Sequence, residues 1–287
     1  MIAANRLAAA PISWGVCEVP GWGHQLAAGR VLAEMRELGL AATEFGPDGF
    51  LPSDPAERST LLGSYGLRPV GGFVPLVLHD PGHDPLPDLV RVLDAFGDAV
   101  TVVIAAATGL DGYDERPVLE GKQWAALLDN LDRAAEYAAE CGHHAVLHPH
   151  VGTVVERGDE VARIVDGSDI GLCLDTGHLL IGGIDPLALA RSAPDRIAHV
   201  HLKDVDAALA RRVRAGETSY TSAVQDGIYR PLGQGDIDIT GIIDTLEGAG
   251  YDGWYVLEQD TVLTADPEPG AGPRADVRAC LAFLEAV

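Results

Sequence analysis

Barrels of alternating strands and helices often run to about 250 residues or more as one unit, so a chain of 287 residues is compatible with a single domain. Apolar residues make up 47% of the chain and charged residues 22%, a balance that excludes disorder and provides a sizeable core. The formal charge of −23 repels phosphate backbones and anionic lipid headgroups, so we expect neither nucleic acid nor membrane partners.

Short β-prone runs alternate with longer segments of helical period, which is the pattern of repeated β-α units around a parallel sheet. The predicted strands cover residues 7–13, 41–45, 68–73, 100–105, 144–148, 170–175, 197–201 and 254–258. The clearest amphipathic segments cover residues 29–38, 84–96, 122–141, 185–193 and 240–249. Glycines that match left-handed helix caps precede several strands, at Gly39, Gly66, Gly142 and Gly250. The sequence therefore predicts one (β/α)8 TIM barrel domain over residues 1–287.

The cysteines and the N-terminus indicate the compartment. Cys17, Cys141, Cys173 and Cys280 are widely spaced and form no CxxC pair, so we expect reduced thiols. The first residues lack the long apolar stretch of a signal peptide, and no run approaches the ~20 apolar residues of a membrane span. A cytoplasmic location follows as an expectation.

Residues 203–235 form a long connection that holds four arginines in an otherwise acidic chain, Arg211, Arg212, Arg214 and Arg230. A connection of this length in a compact barrel is either a lid or binding loop, or a helical excursion on the surface. The basic side chains favour a position near an anionic or hydroxyl-rich ligand.

Four successive predicted strands end on side chains that bind metals. The candidates are His148, Asp175, His201 and Glu258. A single histidine at a strand end is usually a hydrogen-bonded core or surface residue. Four such ends converge at one mouth, however, because the active site of a TIM barrel lies at the C-terminal ends of its strands. Unpaired carboxylates buried there would be costly, and a divalent metal removes that cost.

The donor types restrict the metal. Two imidazoles with two carboxylates suit Mn, Co, Fe or Zn, whereas an all-oxygen set would indicate Mg or Ca. We expect one divalent ion, Mn or Co, with Zn, Fe or Mg as alternatives. Side chains alternate along a strand, so His148 and His150 can both face the mouth, as can His199 and His201. Whether His148 or His150 is the ligand stays open.

Several motifs resemble the inosose dehydratases of the xylose isomerase-like sugar isomerase and epimerase superfamily. They are PISWG, HPHVGT, DTGH, HVHLKD, LGQGDID and GYDGWYVLEQD, and together they span essentially the whole chain. HPHVGT is the motif most specific to the dehydratase branch, whereas DTGH and HVHLKD are shared across the superfamily.

The resemblance implies a xylose isomerase-like barrel that acts on a ketose, a keto-inositol or a related cyclic ketone. It also implies a single divalent metal held by His148, Asp175, His201 and Glu258. Many members of the superfamily carry glutamate where this chain has His148. That difference argues against a simple isomerase.

The chemistry suited to such a site is removal of a proton beside a carbonyl. Loss of the β-hydroxyl then gives a dehydratase, and reprotonation gives an epimerase or isomerase. We predict dehydration of a keto-inositol, with a ketose isomerase or 3-epimerase as the alternative. His150 and His178 are the candidate base and acid.

Further candidates contact the substrate, a small polyhydroxylated ketone. Lys203 is either a cation beside the developing oxyanion or a solvated partner of Asp204. Trp14, Glu44 and His199 are the predicted substrate-binding residues, although Trp14 and Glu44 could instead cap the barrel.

We expect a homo-oligomer. An endonuclease would need a basic groove, which this acidic chain lacks, and a non-catalytic sugar-binding barrel would not need a metal cluster beside spare histidines.

Overall fold

In the computed structural model, which describes residues 2–97 and 100–287, short parallel strands form one nine-segment sheet and an antiparallel pair stands apart from it. The sheet contains β1 Leu7–Ala9, β2 Ala42–Thr43, β3 Arg68–Pro69, β4 Gly71–Leu76, β5 Thr101–Ala106, β6 His144–Leu147, β7 Gly171–Asp175, β8 Ile197–Leu202 and β11 Tyr255–Leu257. The antiparallel pair is β9 Asp204–Val205 with β10 Tyr229–Arg230.

The sheet closes through the third barrel strand. β3 pairs with β2 and β4 pairs with β5, and only Val70 separates β3 from β4. The Val70 N–H donates to the Thr43 carbonyl, and the Val70 carbonyl accepts from Thr101. β3 and β4 are therefore one strand of a closed eight-stranded parallel barrel, and the predicted TIM barrel is confirmed.

Helices lie between the strands, and no described helix is both long and apolar enough to cross a membrane. They are α1 Ala28–Glu37, α2 Pro55–Ser64, α3 Leu86–Phe96, α4 Gly121–Glu140, α5 Gly158–Gly167, α6 Thr176–Ile181, α7 Pro186–Ser192, α8 Ala207–Arg214, α9 Tyr220–Gln225, α10 Ile239–Gly248 and α11 Pro273–Glu285. The predicted amphipathic segments match α1, α3, α4, α7 and α10 to within a residue or two. The four predicted glycine caps are confirmed, with φ between 70° and 85° at Gly39, Gly66, Gly142 and Gly250.

The predicted first strand was too long. β1 ends at Ala9, and a 3₁₀ turn over Pro11–Trp14 follows where the prediction continued the strand to residue 13. Proline lacks an N–H for the ladder and fixes φ near the helical value, which suits the first position of such a turn.

A β-bulge turns two histidines into the barrel. The ladder between β7 and β8 is irregular, and at that point β8 carries one extra residue, Ala198. Beyond the bulge, Cys173 lies opposite His199 and Asp175 lies opposite His201. Paired residues of parallel strands face the same side, and a shift of one residue exchanges the two sides. The bulge therefore places both histidines on the inner face.

Residues 203–235 form a cap over the barrel mouth. The segment contains β9, α8, α9 and β10, and its apolar side chains join a second hydrophobic cluster that also includes Trp22, Val151 and Ile181. The sequence left open a lid or a helical excursion on the surface. The lid is favoured, because this segment contributes Tyr220 and Tyr229 to the site described below.

Three arginines of this segment have partners within the protein, and a position near a ligand stays a prediction. Arg214 donates to the Leu180 carbonyl at the end of α6, at 2.7 Å. Arg212 lies 3.8 Å from Glu217, and Arg230 lies 3.4 Å from Asp206. Arg214 thus joins the cap to α6, and the other two contacts lie within the cap.

Asp204 anchors the connection that follows the cap. Its Oδ2 accepts from the N–H groups of Gly233 and Gly235, each at 2.9 Å. Its Oδ1 accepts from Val205 at 2.9 Å and from Ile237 at 3.1 Å. The fully buried carboxylate thus accepts hydrogen bonds from four backbone N–H groups. It links the HVHLKD motif, which contains Asp204, to the LGQGDID motif, which supplies three of the donors.

We expect Asp204→Ala to lower the free energy of unfolding by about 3 kcal/mol or more, because each buried amide left without an acceptor costs about 1–3 kcal/mol. Urea denaturation measures this as a lower midpoint. The exposed Asp226, at the end of α9, is the control, and Asp226→Ala should change stability by less than about 0.5 kcal/mol. Equal midpoints for the two variants would contradict the anchoring role.

Candidate metal centre and active site

The four predicted ligands meet at the barrel mouth. His148 follows β6, Asp175 ends β7, His201 lies in β8 and Glu258 follows β11. The Asp175 Oδ2 lies 3.2 Å from His148 Nε2 and 3.4 Å from His201 Nδ1. Glu258 Oε2 contacts the same Nδ1 of His201. Donor atoms of Asp175, His201 and Glu258 all lie within 4.8 Å of one another, close enough to share one cation.

The buried donor atoms of this cluster indicate that a cation fits there. Within residues 2–97 and 100–287, the buried His201 Nδ1 and Glu258 Oε2 find no hydrogen-bond partner of normal geometry. Burial alone would lower the pKa of His201, but the Cys173 thiol and the carboxylates of Glu258 and Glu44 hold it well above its usual range. The carboxylates thus favour a positive charge on this imidazole, and a divalent ion at Nδ1 would supply that charge instead of a proton.

His150 does not join the cluster. Its Nδ1 donates to the Val151 carbonyl at 2.6 Å, and its ring packs against His178 with the centroids 3.7 Å apart. This geometry favours His148, and not His150, as the metal ligand that follows β6. Burial, together with the neighbouring His148 and Lys203, lowers the pKa of His150 to about 3, so the imidazole is neutral.

Lys203 is completely buried among acidic groups. Its Nζ lies 2.7 Å from Asp260 Oδ1, 3.2 Å from Glu258 Oε1 and 3.3 Å from Asp175 Oδ2. It also donates to His178 Nε2 at 3.0 Å. Burial opposes the charge, but these carboxylates hold the pKa of Lys203 well above its usual range. The alternative of a solvated lysine paired with Asp204 is wrong, because the Asp204 carboxylate is occupied by backbone donors.

The three predicted substrate contacts are all buried. Trp14 is fully buried in the main core, and its indole donates to Glu34 of α1 at 2.8 Å. Glu44 and His199 lie inside the barrel, where Glu44 Oε1 accepts from His199 Nε2 at 2.9 Å. The geometry supports a core role for Trp14, and substrate binding by these residues stays a prediction.

Residues that the sequence reasoning missed complete the site. Asp260 Oδ2 accepts from the Tyr220 hydroxyl at 2.5 Å, and Tyr220 lies 2.9 Å from the Tyr229 hydroxyl. Tyr113 packs on His150, with the ring centroids 4.8 Å apart. Asp260 could have been found, because it lies two residues past Glu258. The tyrosines come from long connections whose side-chain positions no sequence period indicates.

Gly152 of the HPHVGT motif explains how Tyr113 reaches the site. A Cβ at this position would lie 2.4 Å from the Tyr113 carbonyl oxygen and 2.5 Å from its Cα, and the backbone φ is +78°. Only glycine allows that close approach and that conformation without strain. The motif thus supplies His148, His150 and the surface on which the covering loop rests.

Comparison with known proteins identifies the family. The family model described as the xylose isomerase-like TIM barrel matches residues 32–285. The rhizopine catabolism protein MocC of Rhizobium meliloti is 35% identical over 269 residues, which are 89% of this chain and 81% of that protein. The inosose dehydratase of Geobacillus kaustophilus (strain HTA426) is 32% identical over 272 residues, which are 89% of this chain and 87% of that enzyme.

Solved structures share the fold at lower identity. L-ribulose 3-epimerase superimposes with a TM-score of 0.68 at 18% identity, covering 98% of this chain and 93% of that one. The IolI protein, solved with a zinc atom, gives a TM-score of 0.66 at 13% identity, and the match covers 98% of this chain and 97% of that one. From the family match and the identity to its curated relatives, the chain belongs to the inosose dehydratase family within the xylose isomerase-like TIM barrels, as its motifs predicted.

Proposed function

We propose that this protein is a metal-dependent hydro-lyase that removes water from a keto-inositol. The observation that carries the proposal is the close pair of His150 and His178 beside the ligand cluster, with ring centroids 3.7 Å apart. The pair offers two proton-transferring groups next to one cation site. The inosose dehydratases among its relatives support the same substrate class.

His148, Asp175, His201 and Glu258 are the proposed ligands of one divalent ion, with Mn²⁺ or Co²⁺ favoured by the mixed nitrogen and oxygen donors. When bound, such an ion supplies Lewis acidity toward a carbonyl and an adjacent hydroxyl. The remaining chemistry belongs to side chains of this protein.

His150 is the proposed base. Its Nδ1–H is committed to the Val151 carbonyl, so the lone pair of the neutral ring lies on Nε2. A low pKa keeps that lone pair free at neutral pH. Nε2 therefore takes the proton from the carbon beside the ketone.

His178 and Lys203 complete the elimination. Because the Lys203 ammonium donates to His178 Nε2, the imidazole proton of His178 is on Nδ1, 3.5 Å from the Tyr229 hydroxyl. His178 gives that proton to the departing hydroxyl, which leaves as water, and its Nε2 takes a proton from the Lys203 ammonium so that the ring stays neutral. Until that transfer, the charged Lys203 stabilises the negative charge that builds on the substrate oxygen.

The covering tyrosines keep water out. Tyr220 and Tyr229 are buried, and Tyr113 closes over His150 from another connection. Exclusion of water strengthens every charge interaction at the site and protects a reactive intermediate. Substrate entry then requires the cap or the loop around Tyr113 to move.

Purified protein should hold about one divalent ion per chain, and Glu258→Gln should abolish tight binding because a ligand charge is lost. Elemental analysis after dialysis measures both. Glu34→Gln is the matched control, since Glu34 is a buried carboxylate of α1 outside the cluster. Wild-type protein that is stripped by a chelator and stays fully active would overturn the metal dependence.

His150→Gln should reduce turnover about 10²–10⁴-fold, the usual contribution of a general base, with the metal content unchanged. Solvent deuterium exchange into unreacted substrate, compared between His150→Gln and His178→Gln, shows which residue handles the α-proton. The exposed His83 provides the control substitution. Loss of metal from His150→Gln would make this residue a ligand instead of the base.

The Mn²⁺-loaded enzyme should convert 2-keto-myo-inositol to a cyclic α-hydroxyenone, which is the enol form of a 1,2-dione, and the reaction is followed by absorbance and product NMR. Dehydration is expected because a second imidazole beside the metal ligand can assist loss of the hydroxyl. Fructose and tagatose are the comparison substrates. Recovery of the inosose unchanged, together with C3 epimerisation of either ketose, would replace the dehydratase with an epimerase.

A further inference from the structure

Glu44 joins two histidines across the inside of the barrel. The residue follows β2, whereas His199 and His201 lie in β8, and two other strands separate β2 from β8 in the sheet. Glu44 Oε1 lies 2.9 Å from Nε2 of each imidazole. All three side chains are buried.

This contact determines which nitrogen of His201 is available to a ligand. A carboxylate oxygen only accepts, so Nε2 of His201 carries a proton and donates it to Glu44. The other nitrogen, Nδ1, faces Asp175 Oδ2 at 3.4 Å and contacts Glu258. The one ring therefore has its hydrogen bond on one side and the ligand cluster on the other.

The charge of Glu44 also has no lysine or arginine partner within the described part of the chain. Its ion-pair contacts within the described part of the chain are the two imidazoles alone. A carboxylate buried without a positive partner is costly. A cation at Nδ1 of His201 would offset that charge through the ring, as in the carboxylate–histidine–metal arrangements of known metal sites.

We propose that Glu44 is a positioning residue for the metal ligand His201 and not a substrate contact. It fixes the tautomer and orientation of the ring so that Nδ1 is the atom that binds the ion. His199 donates to the same oxygen and holds Glu44 in place. The inference rests on the ligand set of the proposed function.

The test compares Glu44→Gln with the matched Glu34→Gln. Loss of the Glu44 charge should weaken Mn²⁺ binding about 10–100-fold, measured by electron paramagnetic resonance titration. The Glu34→Gln variant should bind Mn²⁺ like the wild type. His199→Gln should have a smaller effect in the same direction. Unchanged Mn²⁺ affinity in Glu44→Gln with a raised KM would overturn the proposal and restore Glu44 as a substrate contact.

A second measurement does not depend on the variants folding. In the Zn²⁺-loaded wild type, ¹⁵N NMR of the histidine rings should show His201 protonated at Nε2 and metal-bound at Nδ1. Coordination through Nε2 would overturn the proposal. Wild-type protein that binds no ion would overturn the ligand set itself, whereas equal Mn²⁺ affinity of Glu44→Gln and wild type would overturn this inference alone.

Discussion

The ammonium group of Lys203 holds three strand ends together at the mouth of the barrel. It comes from the end of β8 and contacts Asp175 at the end of β7 and both Glu258 and Asp260 after β11. Each carboxylate alone would be costly to bury. With Lys203 between them they are fixed at short distances, and removal of the ammonium would leave like charges facing one another. The geometry of the proposed ligand cluster depends on this one side chain.

The charge balance of the mouth is incomplete without a further cation. Glu44, Asp175 and Asp260 are buried, Glu258 is largely buried, and Lys203 contacts three of these four carboxylates. Burial raises the pKa of Asp260 even beside Lys203. Burial acts the other way on His201, but Glu258 and Glu44 outweigh it and raise the pKa of this imidazole. A divalent ion would relieve both effects. The carboxylates whose charges repel one another are thus the groups that would bind the ion.

The strand order and the four converging ligands could be predicted because parallel strands alternate in a fixed way and deliver their C-terminal ends to one edge. The partners of Lys203 and Glu44 could not, since they depend on side chains from strands distant in sequence. For Trp14, the position in the sequence suggested a contact that the structure does not show. It follows a strand as a pocket residue would, yet a proline starts a turn that directs its indole to α1.

The bulge at Ala198 makes the active site sensitive to the register of one strand. With Ala198 in the chain, β8 directs His199 and His201 inward only because the ladder takes up that residue in the bulge. A regular ladder through the same sequence would still close the barrel, but it would place Ala198 opposite Cys173 and His199 opposite Leu174, and both imidazoles would then face the helices. Fold and chemistry are therefore separable here, because the barrel can close without the bulge, whereas the inward direction of its two histidines requires it.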